Sequence, residues 1–166
     1  LKRISNETKL PYYALSQGTS VGDHKYYYVA NLSRYSLQEE YLFPDFTFQC
    51  VPLSIVIDSP FGKLSICNIH LHARLEDERV REAEVVLNYQ SKYYKHIILG
   101  DFNSLSRLDN YDDLSTYEFT HYDLFRFEVM DLFNMSHIDA AVYLNVNDRR
   151  THPTLGVGHK ISKTPI

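Results

Sequence analysis

The sequence contains no tryptophan and only two cysteines, Cys50 and Cys67. Two cysteines cannot make a fold that depends on several disulfides, and both lie in apolar, strand-like runs, so we expect buried, reduced thiols. No apolar run approaches the roughly 18 residues that a membrane-spanning helix requires. A signal-peptide pattern is also lacking, although the chain starts at Leu1 and a removed leader stays open. These absences predict a soluble protein, cytoplasmic by default.

The sequence also has no surplus of positive charge. Its 17 Lys and Arg and 21 Asp and Glu give a formal net charge of −4. Nucleic-acid binding that ignores sequence depends on such a surplus, so this class of binder is disfavoured, while a local basic patch stays open. Tyrosine is abundant instead, with 14 residues. Most of these flat side chains are expected to pack in or just below the core.

The predicted elements form a single domain over residues 1–166, in which strands and helices are mixed. A first helix ends before Pro11, because proline removes a helical hydrogen bond. Predicted strands cover Tyr12 to Leu15, Lys25 to Leu32, Leu53 to Asp58, Lys63 to Leu71, His96 to Leu99 and Ile138 to Leu144. Predicted helices cover Glu76 to Tyr94 and Leu124 to Phe133, and turns or loops cover Gln17 to Asp23, Ser104 to Ser115 and Arg149 to Ile166.

Two of these elements have a clear two-faced pattern. The strand from Lys63 to Leu71 forms a hairpin with the preceding strand, and one of its faces is predicted to carry Ser65, Cys67, Ile69 and Leu71. The helix from Glu76 has Asp77 as its predicted N-cap. Its apolar stripe is predicted to consist of Val80, Ala83, Leu87 and Tyr94.

Polar side chains follow the strand that begins at His96. The run to Leu99 is apolar and β-branched, which predicts a buried strand, and Gly100 supplies a tight turn at its end. Asp101 and Asn103 are two residues apart, so both side chains can point to the same side. A carboxylate and an amide that converge suit a hard cation or a phosphate. Asp and Asn are also ordinary turn formers, and this short pattern alone favours a turn.

Further motifs occur in a fixed order along the chain. They are Ser33-Arg34, Asn68-Ile69-His70-Leu71, Arg79 in the first turns of a helix, Gly100-Asp101-Phe102-Asn103, Asp139 and Thr151-His152-Pro153. This ordered set resembles the endonuclease/exonuclease/phosphatase superfamily, the fold of deoxyribonuclease I. The resemblance implies a four-layer α/β sandwich, in which two mainly antiparallel β-sheets pack face to face with helices outside. It also implies a metal-dependent phosphoesterase site at one edge.

The resemblance assigns roles to single residues. Asp101 would orient or deprotonate the attacking water and bind Mg²⁺ or Mn²⁺. Asn103 would donate its amide to a phosphate oxygen, hold Asp101 and lie at the metal. His70 would donate to another phosphate oxygen, and Arg34 is a further predicted phosphate contact. The alternatives are a surface salt bridge for Arg34 and a satisfied strand-end histidine for His70; Asp139, Thr151, His152 and His159 are expected to be structural or loop residues.

Parts of the family's pattern are missing between Leu1 and Ile166. The family has an early Gln-Glu pair, whose Glu is the principal metal ligand, and a late Ser-Asp-His. Glu39 and Glu40 follow the Ser-Arg position, so they do not replace the missing ligand. The resemblance therefore implies a sandwich that is incomplete at both ends. We expect the chain as given to bind metal weakly and to turn over slowly, as a fragment of an active protein, and strand sharing in a dimer is an open hypothesis.

Three functions follow from these observations. The favoured one is a Mg²⁺-dependent phosphoesterase that acts on a nucleic acid or a small-molecule phosphate ester. The second is a catalytically inactive binding or scaffold module with the same fold. The third is a lipid phosphodiesterase of the sphingomyelinase type, which would need an exposed aromatic segment, and Tyr41 to Phe46 is the candidate. The oligomeric state is not predicted.

Overall fold

A computed structural model describes residues 1–20, 26–44, 48–108 and 126–146. The chain divides into two compact units, the first comprising Leu1–Ala73 and Asp77–Asn103 and the second Arg74–Glu76 and Ser104–Ile166. The predicted loop from Arg149 to Ile166, with Thr151, His152 and His159, lies outside the described residues.

The first unit holds three β-sheets and most of one long helix. Its helices are α1 (Lys2–Thr8) and α2 (Glu76–Gln90), the latter without its first residue. Its strands are β1 (Tyr12–Leu15), β2 (Thr19–Ser20), β3 (Tyr26–Tyr27), β4 (Ala30–Ser33), β5 (Leu37–Leu42), β6 (Leu53–Ser59), β7 (Gly62–His70) and β8 (His96–Asp101). Strands β1 and β4 form one antiparallel pair and β2 and β3 another. The main sheet has the order β5-β6-β7-β8, in which only the β7–β8 pair is parallel.

The main sheet packs on both of its faces. On one face the core contains Leu53, Ile55 and Ile57 of β6, together with Ala14 of β1 and Val29 before β4. On the other face Gln90 of α2 hydrogen-bonds to the sheet, as described below. The described part of this unit is therefore a sheet on a sheet with a helix outside. This arrangement confirms the predicted α/β fold with mainly antiparallel sheets.

The predicted hairpin is confirmed, and so are the faces of its second strand. Strands β6 and β7 pair from Leu53–Asn68 to Ser59–Gly62. The residues predicted to share one face are the buried ones, namely Ser65, Cys67, Ile69 and Leu71. Cys50 and Cys67 are free, buried thiols as predicted, and burial raises the pKa of Cys67 to about 12. No helix in the described residues is long and apolar enough to cross a membrane.

The buried face of α2 is largely polar, which the sequence analysis did not predict. Ala83 of the predicted stripe is buried, but Val80 and Leu87 are half-buried, and Tyr94 lies beyond the helix with 98% of its surface exposed. The fully buried positions include Arg79, Glu82 and Gln90. Gln90 accepts from Ser65 Oγ at 2.8 Å and donates to Ser54 Oγ at 2.9 Å. Buried polar groups are tolerated when they are hydrogen-bonded. The apolar stripe in the sequence therefore does not identify the buried face of this helix.

Several predicted boundaries were wrong. The helix begins at Glu76, so Asp77 lies inside its first turn and is not the N-cap. The predicted strand from Lys25 to Leu32 is two short strands, β3 and β4. Strand β5 was missed, because its Gln-Glu-Glu sequence belongs to an exposed strand at one edge of the sheet. Among the described strands, β8 lies at the other edge of the sheet, and Ile97 and Leu99 are 45% and 41% exposed.

The second unit contains α3 (Glu128–Asn134) and α4 (Ala140–Tyr143). Helix α3 agrees with the second predicted helix, whose start at Leu124 lies outside the described residues. The predicted strand from Ile138 to Leu144 is wrong. Asp139 is the N-cap of α4, and its side chain accepts from the backbone N–H groups of Ala141 at 2.8 Å and Val142 at 3.1 Å. An N-cap carboxylate and two alanines favour a helical turn over a strand.

Candidate active site

Two of the predicted catalytic residues lie side by side because β7 and β8 are parallel. Their carboxyl ends meet at one edge of the sheet, and His70 pairs in register with Asp101. His70 Nε2 lies 3.9 Å from Asp101 Oδ2, and the two side chains are 35% and 64% exposed. That separation is too long for a hydrogen bond, so both atoms stay available to a third group.

Gly100 brings the two strands together immediately before Asp101. Its φ is +131°, and a Cβ atom at this position would lie 1.9 Å from the carbonyl oxygen of Ile69. Only glycine fits this close approach and this backbone conformation. The glycine was predicted to form a turn at the end of the strand; it lies within β8 instead, and its role is to let the backbone of β8 approach β7.

Asn103 completes the predicted trio. Its φ of +49° lies in the left-handed region, which asparagine tolerates better than most residues. The backbone N–H of Asn103 donates to Asp101 Oδ1 at 2.9 Å, and its side-chain Nδ2 donates to the carbonyl oxygen of Leu71 at 2.8 Å. Asn103 therefore holds Asp101 through its backbone N–H. The side-chain oxygen and the second amide proton make no hydrogen bond with described residues.

Successive backbone N–H groups of the loop after β7 are hydrogen-bonded. Leu71 N–H donates to the carbonyl oxygen of Asp101 at 2.9 Å, and His72 N–H donates to Glu82 Oε2 at 2.6 Å. Glu82 Oε1 accepts from the backbone N–H of Gln49 at 2.7 Å. Gln49 Oε1 in turn accepts from Ala73 N–H at 2.6 Å. This loop leads directly from His70, so the buried network fixes the backbone of the candidate site.

Glu82 was missed by the sequence analysis. It is a carboxylate with almost no exposed surface, and burial raises its pKa from 4.5 to about 7 against the lowering effect of its two backbone hydrogen bonds. Glu78 raises this pKa further, and Arg79 lowers it. The only signal in the sequence was its place beside Ala83, one residue from the predicted stripe.

Tyr27 was also missed. Its ring lies 5.9 Å from the ring of His70, centre to centre, at an interplanar angle of 53°. Nearby, Asn68 Nδ2 donates to the carbonyl oxygen of Ala30 at 2.9 Å, which joins β7 to the start of β4. His70 therefore contacts an aromatic ring as well as lying near Asp101.

Arg34 is not brought to this trio by any hydrogen bond or ion pair among the described residues. It lies exposed in the bend after β4. Ser33 Oγ accepts from the backbone N–H of Tyr35 at 2.9 Å, which forms a local turn around Arg34. The predicted salt bridge of Arg34 is likewise not seen within the described ranges, and its role as a phosphate contact stays a prediction.

The side chains at this edge of the sheet include oxygen ligands for a divalent cation. A carboxylate and an amide oxygen are the hard ligands that Mg²⁺ prefers. However, no group of three or more His, Cys, Asp or Glu side chains in residues 1–20, 26–44, 48–108 and 126–146 is arranged to hold a metal ion. Asp101 is a suitable single ligand, and the described residues do not form a complete site. A zinc site from His70, His72 and His96 is disfavoured too, since His96 pairs with Ser65 at the far end of β8.

Comparisons with known proteins identify similar solved structures but no family model. No family model and no curated protein matches this sequence. Among solved structures, the chain is similar to an endonuclease/exonuclease/phosphatase family protein from Leptotrichia buccalis C-1013-b, with a TM-score of 0.45 and 19% sequence identity. The match covers 56% of this chain and 39% of that chain, so this chain spans well under half of its relative.

Proposed function

We propose that this chain carries part of the active site of a metal-dependent phosphoesterase, which hydrolyses phosphodiester or phosphomonoester bonds by in-line attack of water. The observation that supports the proposal is the convergence of His70, Asp101 and Asn103 at the carboxyl ends of two parallel strands. They come from motifs that are 30 residues or more apart in the sequence and meet in space. A turn-forming Asp-x-Asn alone does not require a histidine 3.9 Å away.

The trio offers the groups that phosphate-ester hydrolysis needs. Asp101 Oδ1 is held by the backbone N–H of Asn103, which leaves Oδ2 to orient or deprotonate a water molecule. His70 Nε2 and the second amide proton of Asn103 are donors for phosphate oxygens, where negative charge grows in the transition state. Arg34 is proposed as a further phosphate contact at the rim. The moderate exposure of His70 and Asp101 gives a substrate access to both.

We further propose that activity requires Mg²⁺ or Mn²⁺, with Asp101 and the side-chain oxygen of Asn103 among its ligands. Such a cation would neutralise charge on the phosphate when it is bound. Because the described residues supply one carboxylate here, we expect weak metal binding by this chain alone. The substrate is proposed as a phosphate ester of a nucleic acid or a small molecule; the acidic balance of the chain favours a selective enzyme over a nonspecific nuclease.

The test is hydrolysis of bis-p-nitrophenyl phosphate with Mg²⁺ or Mn²⁺, by the 166-residue chain and by the complete reading frame that encodes it. Replacing Asp101, Asn103 or His70 by alanine should lower kcat by on the order of a hundredfold or more. Asp58→Ala is the matched control, since it removes an exposed carboxylate near the opposite end of β7. Metal-dependent activity that survives all three substitutions would overturn the proposal.

The inactive binding module is the second candidate, and the single carboxylate at the site favours it. It predicts no metal-dependent hydrolysis of nucleic-acid, lipid or small-molecule diesters by the complete reading frame.

The lipid phosphodiesterase is less well supported. Phe43 of its candidate segment is buried against Phe48 and Tyr89, and Tyr41 stacks on Tyr89 with 3.9 Å between ring centroids. Phe46 lies outside the described residues.

A further inference from the structure

One peptide group lies between a buried carboxylate and the candidate site. The carbonyl oxygen of Leu71 accepts from Asn103 Nδ2 at 2.8 Å, and the N–H of His72 donates to Glu82 Oε2 at 2.6 Å. This carbonyl and this N–H belong to the same planar peptide unit, in which they point in opposite directions. Glu82 and the side chain of Asn103 are therefore hydrogen-bonded to opposite sides of a single rigid group.

We propose that Glu82 is a positioning residue, which orients the side-chain amide of Asn103 through the Leu71–His72 peptide. This inference rests on the proposed function for its catalytic consequence. A carboxylate that accepts from a peptide N–H polarises the peptide and makes its carbonyl a stronger acceptor. The bond from Asn103 is strengthened accordingly, and the amide keeps its second proton directed to the site.

Two features show that Glu82 is built to hold this peptide. Its second oxygen accepts from the backbone N–H of Gln49 at 2.7 Å, which fixes the carboxylate in one orientation. In addition, the next groups of the loop are restrained by neighbours: Arg79 Nη1 donates to the carbonyl oxygen of His72 at 3.1 Å, and Gln49 accepts from Ala73 N–H at 2.6 Å. The peptide therefore cannot rotate without breaking several buried hydrogen bonds.

The test begins with a measurement that does not depend on activity. In NMR spectra of the 166-residue chain, the side-chain amide signal of Asn103 is identified by its loss in Asn103→Gly. We expect Glu82→Gln to move the hydrogen-bonded amide proton upfield, because one of the two acceptors becomes a donor group that faces an N–H. Gln90→Leu is the matched control, since Gln90 is buried on the same helix and its side chain bonds to Ser54, Ser65 and Cys67. An unmoved signal in Glu82→Gln, or an equal shift in Gln90→Leu, would overturn the proposal.

The second measurement is a double-mutant cycle on kcat. Glu82→Gln alone should lower kcat by about ten- to a hundredfold, as loss of a supporting residue commonly does. In the Asn103→Gly background it should cause no further loss, because its effect passes through Asn103. Independent, multiplicative losses would contradict the proposal. If Glu82→Gln does not fold, Glu82→Asp, whose shorter carboxylate cannot reach both N–H groups, takes its place in both measurements. An inactive protein ends the proposed function, while the NMR result still decides the role of Glu82.

Discussion

Asp101 Oδ2 and His70 Nε2 face each other across 3.9 Å at the carboxyl ends of two neighbouring parallel strands. The register of β7 and β8 sets this relationship, and the register in turn depends on Gly100, which admits the carbonyl oxygen of Ile69. The geometry of the site is therefore a property of the sheet rather than of a free loop. Rigid elements position reacting groups more closely than loops do.

The side chain of Asn103 is expected to matter for activity independently of its backbone. Asn103→Gly keeps the left-handed φ of +49° and removes the amide, so kcat should fall by about a hundredfold with little loss of stability. Asn103→Asp should lose as much activity, and about 1–2 kcal/mol of stability as well, because its carboxylate faces the carbonyl oxygen of Leu71. The checks are phosphodiester hydrolysis and urea unfolding. Full activity in Asn103→Gly would show that the amide is not used.

Gly100→Ala should be among the most damaging single substitutions in the first unit. The new Cβ would lie 1.9 Å from the carbonyl oxygen of Ile69, so the β7–β8 pairing must shift, at a cost of roughly 3 kcal/mol or more. Gly62→Ala is the control: its φ is +94°, but the nearest atom is Lys95 Nζ at 4.0 Å. The control therefore reports backbone strain alone, about 1–2 kcal/mol. Equal losses in urea unfolding would show that the contact with Ile69 does not matter.

The sequence was sufficient for the elements whose patterns are local. Alternation in β7 predicted its faces, and its hairpin with β6 was also predicted. The sequence indicated both motifs of the site, Asn68 to Leu71 and Gly100 to Asn103. It also indicated the residues that meet there, His70, Asp101 and Asn103. Their meeting was not derivable from spacing, because it depends on the parallel register of β7 and β8 across an intervening helix.

Predictions failed where a tertiary partner decides the structure. The buried side of α2 carries Glu82 and Gln90, and no hydrophobic periodicity reveals which polar side chains will find partners in a sheet. The composition of β8 predicts a buried strand, yet among the described strands it lies at an edge of the sheet. The segment after Asp139 resembles a strand by apolar content, but capping by that carboxylate favours a helical turn.

Asp139 is expected to act as a helix cap and not as a catalytic group. Asp139→Ala should lower the free energy of unfolding by ~1 kcal/mol, because the backbone N–H groups of Ala141 and Val142 lose their acceptor. Asp139→Asn should restore most of that loss, since asparagine also caps helices well. Urea unfolding measures both effects, and kcat on a phosphodiester should stay within about twofold of the starting protein in both variants. A large loss of kcat in Asp139→Asn would instead assign Asp139 to the chemistry.

The buried carboxylate of Glu82 should make the stability of the protein depend on pH. Burial raises its pKa from 4.5 to about 7, so between these values the folded state binds more protons than the unfolded state. The free energy of unfolding should therefore fall as pH rises from about 4.5 to about 7, by on the order of 3 kcal/mol from this group. The check is urea unfolding across this range for the natural sequence and for Glu82→Gln, whose curve should lack this contribution. Glu84→Gln, which removes an exposed carboxylate from the same helix, should keep it. If the difference between the natural sequence and Glu82→Gln does not change with pH, the pKa of Glu82 is the same in the folded and unfolded states, and its two backbone hydrogen bonds offset its burial.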